Sequence, residues 1–332
     1  MNVQIEKQID SAAMIDAASS MVDTWVHEAK EYACTGKCAT YIPALAKANP
    51  FHLGICIVGE HGEKQMAGEW NVPFTMQSIS KTISFVAACM SRGIDDVMQR
   101  VDLEPTGDAF NSIMRLESHK PGKPFNPMIN AGAITTTSLL PGSGADEKLA
   151  GILDVLEEIL DKRLVINEDV FLSEWRTASL NRALAYYLEE KGFLSSSVEE
   201  TLEAYCRQCS IEVTSEDLAI IGLVLAHDGF HPFKNRQVFP RDICKITKAL
   251  MLTCGMYNTS GKFAAFIGVP AKSGVSGGIM ACVPSRGKQT PFLGSGSYGI
   301  GIYGPSIDEY GNSVAGVHLL KRLASEYDFT VF

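Results

Sequence analysis

The apolar positions of this chain change rhythm along its length, and each change marks a different kind of element. From Leu53 to Gly68, LGICIVGEHGEKQMAG, two strand-like runs flank a polar turn at EHGE, which predicts a short hairpin. The stretch FTMQSISKTISFVAACM, residues 74–90, then reads as a buried helix, apolar on nearly every side. Between about Glu104 and Pro240 the signals are mainly helical. Leu149, Ile152, Leu153, Leu156, Ile159 and Leu160 recur at spacings of three and four, and this middle region is expected to be a helical subdomain. Strand patterns return in GGIMACVP from Gly277 and YGIGIYGP from Tyr298, ahead of a closing helix through SVAGVHLLKRLASEYD. Strands at both ends with helices between them predict an α+β fold, its one antiparallel sheet assembled from sequence-distant parts and flanked by helices. Such a fold brings the helix of residues 74–90 beside the C-terminal strands.

Composition narrows what this fold is for. With 332 residues the chain is long enough for one large or two ordinary domains. It shows no repeat, low-complexity tract or Pro/Gly/Ser-rich linker, so any domains are packed together. A net charge of −9 argues against a nucleic-acid partner, which calls for clustered Lys and Arg, and favours small-molecule chemistry. The first twenty residues mix acids and bases without the apolar stretch of a signal peptide, so export is not expected. The longest apolar runs, such as LAIIGLVLA from Leu218 to Ala226, reach about half of the roughly 20 residues a bilayer span needs, so no membrane partner is expected either. Nine cysteines without a secreted-domain framework suggest reduced thiols and a cytoplasmic location. Cys206 and Cys209 form a CxxC, and Cys34 and Cys38 a CxxxC, but no second pair completes a zinc site. No metal is expected.

The buried helix carries an anomaly: Ser78-Ile79-Ser80-Lys81 is an S-x-x-K, and residues three apart share a helix face, so the Lys81 amine can reach the Ser78 hydroxyl. A lysine near its reference pKa of about 10.4 is protonated at neutral pH and cannot act as a base; a lowering of roughly three units by burial, worth about 4 kcal/mol, would make it one. The alternative is a lysine that snorkels to solvent. A second motif weighs against that alternative. In PAKSGVSGGIMACVP, residues 270–284, Lys272-Ser273-Gly274 leads into a strand-like run, as K-[ST]-G does in serine acyl-transfer enzymes. A strand edge there, lying against the serine helix, can aim a backbone N–H at a carbonyl oxygen and form half of an oxyanion hole.

Other motifs fit their surroundings less well. Gly274-Val275-Ser276-Gly277-Gly278 matches G-x-S-x-G, with Asp308 and His318 following in hydrolase order, but a nucleophile elbow opens a helix and Ser276 precedes a strand-like run. The G-x-G-x-x-G of residues 294–299 lies ahead of a strand, late in the chain, and is expected to be a loop rather than a dinucleotide site. His27, His52, His61, His119, His227 and His231 form no metal-ligand pattern.

The blocks TYIPALAKANP, FTMQSISKTISF, EPTGDAFNS, NPMINAGAI, QCSIEVT, CGMYNTSGKFA, PAKSGVSGG and GNSVAGVHLL, in this order from residue 40 to about 320, closely resemble the serine-dependent glutaminases of the serine β-lactamase superfamily. The resemblance implies a β-lactamase-like domain over residues 36–332, preceded by a helical arm over residues 1–35. It implies hydrolysis of L-glutamine to L-glutamate and ammonia through a γ-glutamyl-serine intermediate, with no cofactor, by a homo-oligomer, dimer or tetramer. The family's nucleophile falls on Ser78 and its base on Lys81. The mechanism expected of these residues has Lys81 take the Ser78 proton either directly or through Tyr257, with the N–H groups of Ser78 and Val275 as the oxyanion hole. Its substrate-binding positions fall on Tyr41, Ser78, Asn130, Glu174, Asn181, Tyr187, Tyr205, Tyr257 and Val275. Where the family carries Asp and Arg ahead of the asparagine, this chain has Ser179 and Leu180.

These side chains suit a free amino acid. An α-ammonium calls for a carboxylate such as Glu174, and an α-carboxylate for neutral donors such as Asn130, Asn181 and tyrosine hydroxyls. Reading both ends excludes glutamine within a polypeptide. Two other readings share part of the pattern: a penicillin-interacting serine acyl-transfer enzyme, and a non-catalytic glutamine-binding protein.

Overall fold

The computed structural model describes residues 20–118, 120–285, 289, 290 and 294–332. The first 19 residues of the expected N-terminal arm and His119 lie outside them.

The predicted hairpin is present as β1 (Gly54–Gly59) and β2 (Lys64–Gly68), and the C-terminal strand signals as β4 (Gly278–Val283) and β5 (Tyr298–Tyr303). A short β3 (Ala271–Ser273) precedes β4, so Lys272 and Ser273 stand within a strand rather than leading into one. The five strands form one antiparallel sheet in the order β2-β1-β5-β4-β3. The first and last parts of the chain meet where β1 pairs β5, Ile55 opposite Ile302 and Ile57 opposite Ile300. The expected α+β architecture with a central antiparallel sheet is what the chain adopts.

Alternation along the strands decides what covers each face. Ile55, Ile57, Ala281, Ile300 and Ile302 pack with Leu319, Leu320 and Leu323 of the closing helix (Val314–Glu326) and with Val22, Trp25 and Val26 of a helix over 20–30. The described part of the arm therefore contributes to this core. On the other face Cys56 and Val58 meet Ala219 and Leu223 of the helix Ser215–Ala226. That helix is the run LAIIGLVLA, apolar all round because the sheet covers one side and other helices the rest. Glycine makes the close approach possible: a Cβ at Gly299 would sit 1.8 Å from the Ala219 carbonyl oxygen. Although it falls inside the segment read as a helical subdomain, this helix belongs to the sheet.

Six of the other helices carry or flank the site. We label them α1 (Ser80–Arg92), α2 (Asn130–Ser138), α3 (Gly144–Leu160), α4 (Glu168–Thr177), α5 (Ser179–Glu190) and α6 (Val198–Cys209). The predicted periodicity of Leu149 to Leu160 lies in α3, whose Leu149, Ile152, Leu153 and Leu156 join the core around α1. Every residue of α1 from Ser80 to Cys89 is buried, so anything polar on it must find partners inside the protein.

Candidate active site

Ser78 does not sit in α1 itself but in a 3-10 turn, Gln77–Ile79, that feeds into it. Gln77 adopts φ +49°, a left-handed conformation that costs a non-glycine residue about 1–3 kcal/mol and persists only where its surroundings hold it. The turn is held by close packing against the segment after β3. A Cβ at Gly274 would sit 2.5 Å from the Met76 carbonyl oxygen, so only glycine fits that approach. The Ser276 hydroxyl donates to the Thr75 carbonyl at 2.6 Å. Ser276 is thus a fastener and not an elbow nucleophile. His318 stacks on Tyr32 and the Asp308 carboxylate accepts from the N–H groups of Tyr310 and Asn312, so no Ser-Asp-His triad forms.

Lys81, fully buried, places Nζ 3.0 Å from Ser78 Oγ and 2.6 Å from Asn130 Oδ1. Asn130 opens α2, and its amide nitrogen donates to Asn181 Oδ1 at 2.9 Å. Burial pulls the Lys81 ammonium down to about 8, with Cys209 and Glu174 resisting the fall. Among the described residues no carboxylate pairs with the amine directly, so its charge is poorly compensated and the neutral form lies within reach. Burial pushes the Glu174 carboxyl up to about 7, against a hydrogen bond from Gln77 and the pull of Lys81. Two buried groups with displaced pKa values beside a nucleophile are the arrangement of an acid–base site.

A cavity of about 250 Å³ opens over Ser78, lined by Tyr41, Gln77, Asn130, Glu174, Asn181, Tyr205, Cys209 and Val275, among others. Lys81 lies beneath its floor. Tyr41 lines the cavity although it is 56% exposed, and burial and the Glu174 charge hold its hydroxyl above its ordinary pKa. Tyr205 is buried and its ring lies 6.0 Å from Lys81 Nζ. Tyr257 lines a neighbouring cavity and packs among Ile42, Val275 and Phe110, which line the cavity over Ser78. Its hydroxyl is buried beside Ser78 but makes no well-formed hydrogen bond to a described residue. Burial raises its pKa, so it stays protonated. Like Gln77, Tyr257 is left-handed, at φ +50°. Among the described residues, no loop or turn carbonyl engages the N–H of Ser78 or of Val275.

Most of the expected residues therefore converge on one cavity or its wall; Tyr187 does not. Its hydroxyl donates to the Leu116 carbonyl at 3.2 Å, and Lys191 lies over its ring. Asn181 and Tyr187 are six positions apart on α5, about 240° around a helix, so a face that presents one turns the other away. Leu180, one of the two positions at which the chain departs from the resemblance, lines the cavity. Lys272 of the K-S-G is buried, donates to the Ser273 carbonyl at 2.6 Å, and places Nζ 4.5 Å from the centre of the Tyr257 ring. Burial, and then the nearby Lys81, hold it well below the ordinary lysine range. The CxxC and CxxxC cysteines are all free thiols.

Among the cavity residues that the sequence reading did not place at the site are Gln77 and Cys209. Gln77 is 2% exposed, and its side-chain nitrogen lies 3.3 Å from the Cys209 carbonyl oxygen and 3.5 Å from Glu174 Oε2. Its only signal in the sequence was a second polar residue beside Ser78. Cys209, read as an idle thiol, lines the cavity next to Glu174.

The glutaminase family model matches residues 36–332 of the chain. Glutaminase 2 of Bacillus anthracis is 60% identical over 324 residues, covering 97% of this chain and 99% of the relative. Glutaminase 1 of Bacillus subtilis is 62% identical over 308 residues, 93% of this chain and 94% of the relative. The crystal structure of a probable glutaminase from Bacillus subtilis superimposes with a TM-score of 0.90 at 58% identity, covering 95% of this chain and 98% of that one. A Bacillus subtilis glutaminase in covalent complex with 5-oxo-L-norleucine, formed by reaction with 6-diazo-5-oxo-L-norleucine, superimposes with a TM-score of 0.86 at 56% identity, covering 95% and 100%.

Proposed function

The chain belongs to the glutaminase family, and from that premise we propose how its residues divide the hydrolysis of L-glutamine to L-glutamate and ammonia. Ser78 is the nucleophile and neutral Lys81 its base. The observation that carries this reading is the 3.0 Å approach of a fully buried lysine amine to the Ser78 hydroxyl. Lys81 takes the Ser78 proton directly as Oγ attacks the side-chain amide carbon, which leaves a tetrahedral oxyanion. The N–H groups of Ser78 and Val275 hold that oxygen, each such donor being worth about 3 kcal/mol in acyl-transfer sites. The C–N bond breaks, and the proton on Lys81 reaches the departing nitrogen through the Tyr257 hydroxyl. Water then attacks the γ-glutamyl ester, Lys81 takes its proton, and Ser78 leaves reprotonated. The scheme calls on no metal or organic cofactor.

Glu174 receives the α-ammonium, and Asn130, Asn181, Tyr41 and Tyr205 surround the α-carboxylate. The Gln77 side chain donates to the Glu174 carboxylate at 3.5 Å and helps to keep it charged. The covalent complex that a Bacillus subtilis glutaminase forms by reaction with 6-diazo-5-oxo-L-norleucine supports a covalent nucleophile in this site. The wild-type protein should release ammonia from glutamine, far less from asparagine, and should not open the ring of a penicillin analogue. Absence of ammonia from glutamine would overturn the reading, and tight binding without turnover would leave a glutamine-binding protein.

The role of Glu174 has its own test. Glu174→Gln keeps the shape and removes the charge, so the α-ammonium meets a neutral partner in a buried site. Breaking such a pair costs about 3 kcal/mol, or roughly a hundredfold in kcat/KM, and the loss should appear mainly in KM. An unchanged KM would reject the role.

We further assign residues 36–332 to one catalytic domain, and a cytoplasmic homo-oligomer, dimer or tetramer, as the working form. The free thiols support a reducing location. Sedimentation or light scattering measures the assembly, and a monomer at all concentrations would exclude it.

A further inference from the structure

The strained turn that carries Ser78 is held from behind by a residue that never meets the cavity. Gln208 on α6 is fully buried and is not part of the cavity lining. Its side-chain oxygen accepts from the Thr137 hydroxyl of α2 at 3.0 Å, a hydroxyl shared with the Ala133 carbonyl. Its nitrogen donates to Ser80 Oγ and to Ser84 Oγ of α1, each at 3.4 Å. One amide thus links α1, which follows Ser78 and holds Lys81, to α2, which begins with Asn130, and to α6, which holds Tyr205. Both of its N–H groups and its carbonyl oxygen are engaged.

The path continues to the nucleophile. Ser80 Oγ donates to the Gln77 carbonyl at 2.8 Å, while the Gln77 side chain reaches the carbonyl of Cys209, the residue after Gln208. Gln77 is therefore gripped at its backbone through Gln208 and Ser80, and at its side chain by Cys209. The two grips close a ring around the one residue whose left-handed conformation sets the direction of Ser78. Buried polar chains of this kind couple their members, because each bond is made in a low dielectric with no water to replace it.

We propose that Gln208 is a positioning residue for the reaction, holding Gln77, and through it Ser78, in register with Lys81 and the oxyanion donors. Its main effect is on the acylation geometry, because the grip that leads from Gln208 ends on the Gln77 backbone beside Ser78. The contact with Glu174 is made by the far end of the Gln77 side chain, which the Cys209 carbonyl also holds. The inference rests on Ser78 being the nucleophile of a glutaminase.

Steady-state kinetics on glutamine, with melting temperature as a check of folding, test it. In Gln208→Met, close in shape but without polar atoms, kcat should fall about tenfold or more with KM within about twofold, the signature of an interaction used only in the transition state. Ser80→Ala and Ser84→Ala each remove one hydroxyl from the same helix and the same amide, but only Ser80 leads on to Gln77. Ser80→Ala should lower kcat by about fivefold or more, and Ser84→Ala by less than about twofold. If Gln208→Met does not fold, the serine pair carries the test alone. Equal kcat in the two serine variants, or a folded Gln208→Met that changes KM and spares kcat, overturns the proposal. A wild-type protein without glutaminase activity would instead overturn the reading on which it rests.

Discussion

Ser78→Ala should lower kcat for glutamine at least about 10⁴-fold, on the scale seen when a serine hydrolase loses its nucleophile, while leaving glutamine bound. The hydroxyl is the only atom removed, and it is the one that bonds to the amide carbon. The cavity residues proposed to read the two ends of the amino acid, Glu174, Asn130, Asn181 and Tyr205, remain around it. Lys81 loses one partner but keeps Asn130 Oδ1 at 2.6 Å, so the buried amine is not stranded. Calorimetry on the variant should therefore give a Kd for glutamine within a few-fold of the wild-type KM, roughly 1 kcal/mol or less of change. A diazo-ketone analogue of glutamine should label the wild type covalently and leave the variant unmodified by mass. Turnover within about tenfold of wild type would remove Ser78 as nucleophile.

Ser78 and Lys81 were legible because two chemical constraints left marks on the sequence. A lysine in a run that otherwise reads as core must have an unusual partner, and a spacing of three on a helix names it. The sheet was legible for a similar reason: runs at both ends of the chain carry strand patterns, and the helices between them cannot supply the missing strands. The helix Ser215–Ala226 falls inside the segment whose signals are mainly helical, but its neighbours include the sheet. An apolar run states that a segment is buried and not against what; here Gly222, Gly299 and Gly301, which let the helix lie against the sheet, were the informative residues.

What the sequence hid is mostly backbone conformation. Gln77 and Tyr257 are both left-handed, and neither is a glycine whose presence would have advertised it. The function of Gln77 follows from that conformation, since it turns the side chain towards Glu174 and Cys209 while the carbonyl faces Ser80. Tyr187 illustrates the opposite limit: it stands in a block that resembles the family, and helical geometry alone separates it from Asn181. Cys209 reads as a small hydrophobe by composition and lines the cavity by topology, because α6 ends beside the serine turn.

Lys81→Met should remove at least about 10³-fold in kcat, the range that a positioned general base supplies, and should also change the form of the pH profile. The reactive species needs Lys81 neutral, and burial sets its pKa near 8, so activity is lost as pH falls through 8. Glu174 must be charged to receive the α-ammonium, and burial sets its pKa near 7, so activity is lost again as pH falls through 7. Both effects have the same sign. For the wild type, log kcat/KM should rise with a slope near one between these two values, approach a slope of two below them, and flatten above 8 until the substrate's own ammonium loses its proton. In Lys81→Met the limb near 8 disappears. The Glu174 limb moves above 7, since the positive charge that helped keep the carboxylate ionised is gone. Tyr257→Phe is the control, because it leaves the amine in place and removes only the hydroxyl that passes the proton on. It should lower kcat less than Lys81→Met and retain the limb near 8. A Lys81→Met enzyme that keeps that limb, beside a Tyr257→Phe enzyme that loses it, would transfer the role of base from the lysine to the tyrosine.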